Sequence, residues 1–363
     1  MTESTALSTE CKENSKQQED LEMIADSGID FDRYINTTVF VTGATGLLGS
    51  SIIRSLLCCN RKKNLNIHLV AAVRNREKAE RIYGKLIQRA DMELYIRDIT
   101  EPLEYKGKVD YIFHTASVTA SKTMVEHPTC TIETAYQGTR NILEFAREKR
   151  VSGLVYLSSM EVYGRPEADL KYVTEDNLGY IDISNVRSGY SEGKRICECL
   201  CTAYASEYNI PVKTARLAQT FGAGVLPNDN RVYVQFARSA IHEEDIILHT
   251  DGTSDGNYCY IRDVVKALLL LGYKGEKGES YNIVNENTHM QIREMAQLVA
   301  EKISGGKIKV RFEIPESAQT FGYAPAVKLK LSGEKMRALG WQPEVDLQEM
   351  YERMIYDMTI HIK

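Results

Sequence analysis

Thr38-Val39-Phe40-Val41-Thr42-Gly43-Ala44-Thr45-Gly46-Leu47-Leu48-Gly49 runs from a β-branched, apolar stretch into a turn with glycines at 43, 46 and 49. An amphipathic run over 50–59 follows it. The pattern predicts a strand, a tight glycine turn and a helix. In such a turn the first glycine allows the sharp reversal and the second lets backbone approach a pyrophosphate with no Cβ in the way. The third lets the helix pack close to the strand. The pyrophosphate would rest on the helix N-terminus, where free N–H groups and the dipole favour negative charge. Alone, the spacing also fits an ordinary βα turn.

Downstream, 66–73 reads as the next parallel strand and ends at Arg74-Asn75-Arg76. In a dinucleotide-binding sheet that strand end faces the adenosine ribose, where an acidic residue suits a 2′-hydroxyl and arginine a 2′-phosphate. No Asp or Glu lies between Val73 and Glu77, so Arg74 and Arg76 tilt the reading towards NADP over NAD. A helix is expected over 77–90, strands over 92–96 and 109–114, a helix over 128–149 with apolar Ile132, Tyr136, Ile142, Leu143 and Phe145, and a strand over 153–157. Strand and helix alternating in this way predict a doubly wound parallel α/β sheet with right-handed crossovers. Ligands bind such sheets beyond the carboxyl ends of the strands.

With 363 residues, 43% hydrophobic and 26% charged, the chain has material for a large core. Its formal net charge of -5 gives no electrostatic reason to expect a nucleic-acid partner. No apolar run is long enough to span a bilayer and residues 1–20 lack a signal core, so no membrane association and a cytoplasmic location are expected. The eight cysteines are not at framework spacings and are read as reduced thiols. Cys197, Cys199 and Cys201 fall at i, i+2 and i+4 of a helix, which turns Cys199 away from the others, and no metal site is expected. The polar tail to about Gln18 is expected to be disordered, with helical spacing of Leu21, Ile24 and Ile29 after it.

Chemistry concentrates at two places. Ser159-Met160-Glu161-Val162-Tyr163-Gly164 stands at a strand end, and Ser188-Gly189-Tyr190-Ser191-Glu192-Gly193-Lys194 follows about thirty residues on. On a helix Tyr190 and Lys194 share a face one turn apart. A lysine ammonium beside a phenol lowers the phenol's pKa, so Tyr190 can act as a general base nearer neutrality. The Ser159 hydroxyl would face the same substrate oxygen. His114 at a strand end is read as structural, and 167–178 as a polar loop near the site.

The glycine turn, the Asp98-Ile99 pair, His114-Thr115-Ala116, the Ser159 segment and the Tyr190/Lys194 pair occur in the order of the extended short-chain dehydrogenase/reductases. Over about residues 36–350 the chain resembles their NAD-dependent nucleotide-sugar epimerase/dehydratase branch. The resemblance implies a Rossmann domain over 36–217, with 260–285 returning to it. It also implies a smaller, discontinuous C-terminal α/β substrate domain over 218–259 and 286–363, behind an N-terminal segment 1–35. Gly43, Thr45, Gly46, Leu47, Leu48, Gly49, Arg74, Asp98, Ile99, Thr115 and Ala116 would bind NAD or NADP. Tyr190 would be the base, Lys194 the ligand of the nicotinamide ribose and Ser159 the partner of the tyrosine. A homodimer through helices at 128–149 and 190–208 is also implied.

In the 4,6-dehydratases of this branch the strand-end segment reads Thr-Asp-Glu, with the Asp as acid. Met160 stands at that position and cannot protonate a departing hydroxyl. Ser159-x-Glu161 is similar to UDP-glucuronate decarboxylases, and so is Asn228-Asp229-Asn230-Arg231-Val232 with Phe236, where the arginine meets the nucleotide diphosphate. Several positions depart from the branch. Gly256 replaces an arginine four residues before Tyr260, with Arg262 close by in sequence. Ala135 replaces an asparagine, Ala223 a common proline, and Gln219, taken as substrate-binding, an asparagine three residues after Arg216. The expected activity is therefore decarboxylation of a UDP-hexuronic acid through a 4-keto intermediate, with Ser159, Glu161, Tyr190 and Lys194 catalytic and Ser159, Gln219 and Arg231 on the substrate. Epimerisation, 4,6-dehydration, NADPH-dependent ketone reduction and a non-catalytic dinucleotide sensor are the alternatives.

Overall fold

A computed structural model describes residues 9–226, 229–314 and 328–360. The quoted stretch forms strand β1 (Thr38–Thr42), the glycine turn and helix α2 (Leu47–Lys63), preceded by α1 (Lys16–Ala25). There follow β2 (His68–Val73), α3 (Arg76–Tyr83), β3 (Met92–Ile96), β4 (Tyr111–His114), α4 (Ser121–Glu126) and α5 (Pro128–Lys149). Next come β5 (Gly153–Ser159), α6 (Ser188–Tyr208) and β6 (Val212–Leu217). The carboxyl half adds β7 (Gln219–Phe221), α7 (Val232–His242), β8 (Ile246–Leu248), β9 (Asp255–Tyr260), α8 (Ile261–Tyr273), β10 (Ser280–Ile283), β11 (Asn285–Gln291), α9 (Ile292–Leu298), β12 (Val310–Phe312), α10 (Glu334–Ala338) and α11 (Leu347–Ile360).

Among the described residues seven strands pair in parallel in the order β10-β6-β5-β4-β1-β2-β3. The chain steps outward from β1 through β2 to β3 and crosses back to β4 on the other side of β1. The carboxyl ends of β1 and β4 therefore splay apart, which is where an open α/β sheet presents its crevice. Successive side chains of a strand point to opposite faces. Val39, Val41, Leu69 and Ala71 accordingly pack with α2 and α8 in one apolar cluster. Phe40, Val70, Ile112 and Leu154 pack with α5 and α6 in another. With both faces covered, the strands are apolar at consecutive positions. β7, β9 and β11 form a separate three-stranded sheet, and β8 pairs with β12.

Several expectations change. Of the expected tail, residues 1–8 lie outside the described residues, while 9–18 are held in place: Ser15 caps α1, and buried Glu10 pairs with Arg61 at 3.0 Å and Arg89 at 3.4 Å. Residues that read as a solvated tail are thus ligands for arginines of the sheet layer. The helix expected over 77–90 stops at Gly84, whose φ of +53° breaks it before a short 3₁₀ turn. Cys58 and Cys59 lie buried inside α2, which runs on to Lys63. Ile132 and Tyr136 of α5 are exposed. Residues 167–178 are tied down, since Val173 exchanges backbone bonds with Lys330 and Ser332. All eight cysteines are free, with Cys197 and Cys201 buried and Cys199 exposed. Among the described residues no helix is long and apolar enough to cross a membrane.

Candidate active site

The three glycines of the β1–α2 turn do different work. Gly43 has φ +62°, and a Cβ there would lie 2.7 Å from the Ala116 backbone. A Cβ on Gly49 would lie 2.5 Å from the Gly43 carbonyl, so helix and turn touch through backbone. Gly46 caps α2, and a Cβ on it would meet only the Gly43 oxygen, at 3.2 Å. The space outside Gly46 is open, in front of first-turn N–H groups that have no partner within the helix. This fits the diphosphate of a dinucleotide, with Thr45, Leu47 and Leu48 supplying the adjoining backbone.

The wall opposite is built from β4. Thr42 Oγ1 bonds His114 Nδ1 at 2.8 Å, Thr115 Oγ1 donates to Thr42 O at 2.7 Å, and Ala116 N donates to Thr42 Oγ1 at 3.2 Å. His114 is fully engaged, its Nε2 meeting Thr139 at 3.2 Å, and burial together with the Lys194 charge pushes its pKa down to about 3. It is a neutral structural residue. Asp98 and Ile99 follow β3. Burial alone would raise the Asp98 carboxyl, but bonds from Thr100 and the charge of Arg74, 3.7 Å away, hold it below its ordinary value. Ile99 fills the notch left by Gly138, and its carbonyl accepts from Asn141 at 2.8 Å. Arg74 therefore stands beside Asp98, with most of its side chain exposed.

Across the crevice, Ser159 ends β5 and caps the 3₁₀ turn Met160–Tyr163 by accepting from Glu161 N at 3.2 Å. Glu161 receives Arg187 Nη2 at 2.9 Å and the Ser191 hydroxyl at 3.3 Å. Tyr190 and Lys194 lie on one face of α6, the Lys194 Nζ 5.8 Å from the Tyr190 ring centroid. Lys194 donates to Leu157 O at 2.6 Å and sits 4.9 Å from the Tyr156 ring. Burial pulls its pKa down to about 8. Tyr190 is pushed up to about 12 by burial and by Glu161, against the opposing pull of Ser159, Arg187 and Arg231. In the protein alone the lysine does not bring the phenol towards neutrality. The groups that oppose burial are instead the serine and two arginines.

Arg231 caps α7, and its guanidinium is engaged by Asp229, with Nε 3.0 Å from both carboxylate oxygens, while lying 5.0 Å over the Tyr233 ring. Asn228 lies outside the described residues. Gln219 is half-buried at the start of β7. Arg262 cannot stand in for the arginine missing at 256. It is buried between Asp20 and Glu344, each at 3.4 Å. A Cβ on Gly256 would instead meet the Met160 methyl at 3.9 Å. The sequence reading passed over Arg187 and Ser191. The signal was their position, one helical turn before Tyr190 and immediately after it.

The model of the NAD dependent epimerase/dehydratase family matches residues 39–284. UDP-glucuronic acid decarboxylase 6 of Arabidopsis thaliana is 30% identical over 329 residues, 90% of each chain. Among solved structures, UDP-glucose 4-epimerase of Thermotoga maritima with UDP-glucose superposes with a TM-score of 0.74 at 20% identity, over 90% of this chain and 100% of that one. UDP-glucuronic acid 4-epimerase of Bacillus cereus, in complex with UDP-glucuronic acid and NAD, gives 0.72 at 20% identity, over 89% and 99%. These superpositions establish the shared fold.

Proposed function

The chain belongs to the NAD dependent epimerase/dehydratase family, and from that premise we propose that it decarboxylates a UDP-linked hexuronic acid through a 4-keto sugar. The observation that carries this reading is the strand end Ser159-Met160-Glu161. It sets a carboxylate, but no second acid, against Tyr190, Arg187 and Ser191. Loss of a hydroxyl requires a proton donor, which Met160 is not, whereas loss of carbon dioxide requires none for the leaving group. The 30% identity to a protein named UDP-glucuronic acid decarboxylase points the same way.

The glycine turn, Asp98, Ile99, Thr115 and Ala116 would hold NAD, and Lys194 its nicotinamide ribose. When bound, NAD supplies the hydride acceptor that makes a ketone of the sugar C4 hydroxyl. Tyr190 takes the hydroxyl proton, steadied by Ser159, while Arg187 and Arg231 favour the phenolate. In the β-keto acid the C5–carboxylate bond breaks, its electron pair passes towards the C4 oxygen, and carbon dioxide leaves. One proton from solvent then replaces it at C5, and return of the hydride and of the Tyr190 proton at C4 would restore the hydroxyl, so that the net change is loss of carbon dioxide alone. Arg231, once shared with Asp229, would meet the nucleotide diphosphate, with Gln219 beside it. Segments 218–259 and 286–363 would hold the nucleotide sugar. We also propose a homodimer through the exposed Ile132 and Tyr136 of α5 with Ile196 and Tyr208 of α6. The free cysteines suit a reducing compartment such as the cytoplasm.

The test is mass spectrometry of UDP-glucuronate incubated with the protein and NAD. Loss of carbon dioxide is expected. An isomer without mass change would make the protein an epimerase, and an unchanged substrate would reject UDP-glucuronate.

A further inference from the structure

Among the described residues, Arg187 is the arginine of the site with a buried guanidinium nitrogen left unpaired. It precedes α6 by one position and Tyr190 by three, and its guanidinium carbon lies 5.5 Å from the Tyr190 ring centroid. One arm, Nη2, donates to Glu161 Oε1 at 2.9 Å. The other, Nη1, is buried and has no hydrogen-bond partner. A guanidinium N–H withdrawn from water and left unpaired is costly, and buried polar groups in folded proteins nearly always find a partner. The neighbouring cations are already engaged: Lys194 by the Leu157 carbonyl and Arg231 by Asp229. Glu161 and the capped turn of Ser159 fix where the free arm of Arg187 sits.

We infer that Arg187 Nη1 receives the sugar's C5 carboxylate, making Arg187 the residue that selects a uronic acid over a neutral hexose. This rests on the reading that the substrate is a nucleotide-linked hexuronic acid handled by Tyr190. If Tyr190 faces the C4 hydroxyl, a group one helical turn away, about 5 Å along the axis, reaches the substituent of the adjoining ring carbon. A guanidinium suits a carboxylate better than a hydroxyl, because charge and planar donor geometry act together. Glu161 then has a positioning role. It holds Arg187 through Nη2 and leaves Nη1 for the substrate, which fixes the orientation of the C5–carboxylate bond for cleavage.

The experiment is calorimetric binding to the full-length, NAD-loaded protein in a Tyr190→Phe background, which blocks turnover. UDP-glucuronate, UDP-glucose and UDP are the probes. Tyr190→Phe alone should bind UDP-glucuronate at least about ten-fold tighter than UDP-glucose, as a charge-assisted bond allows. Adding Arg187→Gln should erase that preference and leave UDP-glucose and UDP within about three-fold. Arg187→Lys, which keeps the charge and loses the fork, should retain part of it and serves if the glutamine variant fails to fold. Absence of preference in the parent, a preference that survives Arg187→Gln, or equal weakening of both sugars would each overturn the inference. Carbon dioxide release by the otherwise unaltered protein is scored separately. An Arg187-dependent preference without release would leave this inference standing and remove the decarboxylase reading.

Discussion

The two glycines that bracket the start of α2 should fail in different ways when each receives a methyl group. At Gly49 the new Cβ would lie 2.5 Å from the Gly43 oxygen and 2.9 Å from the Ala44 Cα. Both neighbours are backbone, so relief requires the turn and helix to separate. Overpacking of this kind costs about 1–3 kcal/mol, and at roughly 2–4 °C per kcal/mol for a large domain the cofactor-free protein should melt several degrees lower. At Gly46 the Cβ would meet a single oxygen at 3.2 Å, and the φ of -85° and ψ of 170° are open to alanine. Replacing a helix-capping glycine by alanine costs about 1 kcal/mol or less. The methyl group would, however, stand where the diphosphate approaches, so NAD binding should weaken about ten-fold or more, equivalent to about 1.4 kcal/mol. The assay pairs thermal unfolding without cofactor and titration with NAD. Gly49→Ala should move the first most, and Gly46→Ala the second. If Gly46→Ala lowered Tm as far as Gly49→Ala and left NAD affinity unchanged, the assignment of these glycines would be refuted.

Two further outcomes follow from buried charges. Lys213 is buried in β6 with, among the described residues, the carbonyls of Pro211, at 3.4 Å, and Gly272, at 3.3 Å, as partners, and burial lowers its pKa from 10.5 to about 8. Between those values the unfolded chain holds more protons, so stability rises with pH through that window. Lys213→Met should therefore stabilise the protein by roughly 1–3 kcal/mol at pH 7, with the gain vanishing near pH 10.5; urea midpoints across pH measure it, and a pH-independent difference would contradict it. Arg216 is buried against Glu198 at 2.7 Å and also donates to the Glu175 carbonyl at 2.6 Å. Arg216→Met leaves that carboxylate unpaired, which should cost roughly 3–5 kcal/mol, and should speed proteolysis within 167–178, the loop that the second bond anchors.

What was legible in the sequence was what local chemistry decides. Strand β3 and helix α5 lie where apolar spacing placed them, the helix closed by Pro128 at its start and Arg150 in a left-handed conformation at its end. The glycine turn was legible because each glycine answers a neighbour within a few residues. Pairings over long separations were not legible. Glu10 looks solvated until Arg61 and Arg89 are brought against it, and Glu161 looks like a lone strand-end carboxylate until α6 delivers Arg187, 26 residues on. Charged residues read singly do not disclose their partners. The expectation that Lys194 lowers the Tyr190 pKa meets a related effect: in the protein alone burial, which depends on the whole fold, pushes the phenol up.

The positions at which the chain departs from its resemblance need not be independent. Met160 and Gly256 are almost a hundred residues apart and were read as separate losses, of an acid and of an arginine. In the fold they adjoin, since a Cβ on Gly256 would touch the Met160 methyl. Met160 also packs against the apolar cluster of Val162, Val173, Ala218 and Leu331. A charged side chain at either position alone would face that cluster or the thioether without a partner, which is costly at a partly buried site. An acid and an arginine together could satisfy each other, and so can a methionine and a glycine, where the flexible thioether fills the space the missing side chain leaves. Arg262, six residues beyond Gly256, is meanwhile committed to Asp20 of α1 and to Glu344. The loss at 256 is thus answered by apolar packing from 160 rather than by another cation, which leaves Arg187 and Arg231 as the arginines whose charge bears on Tyr190.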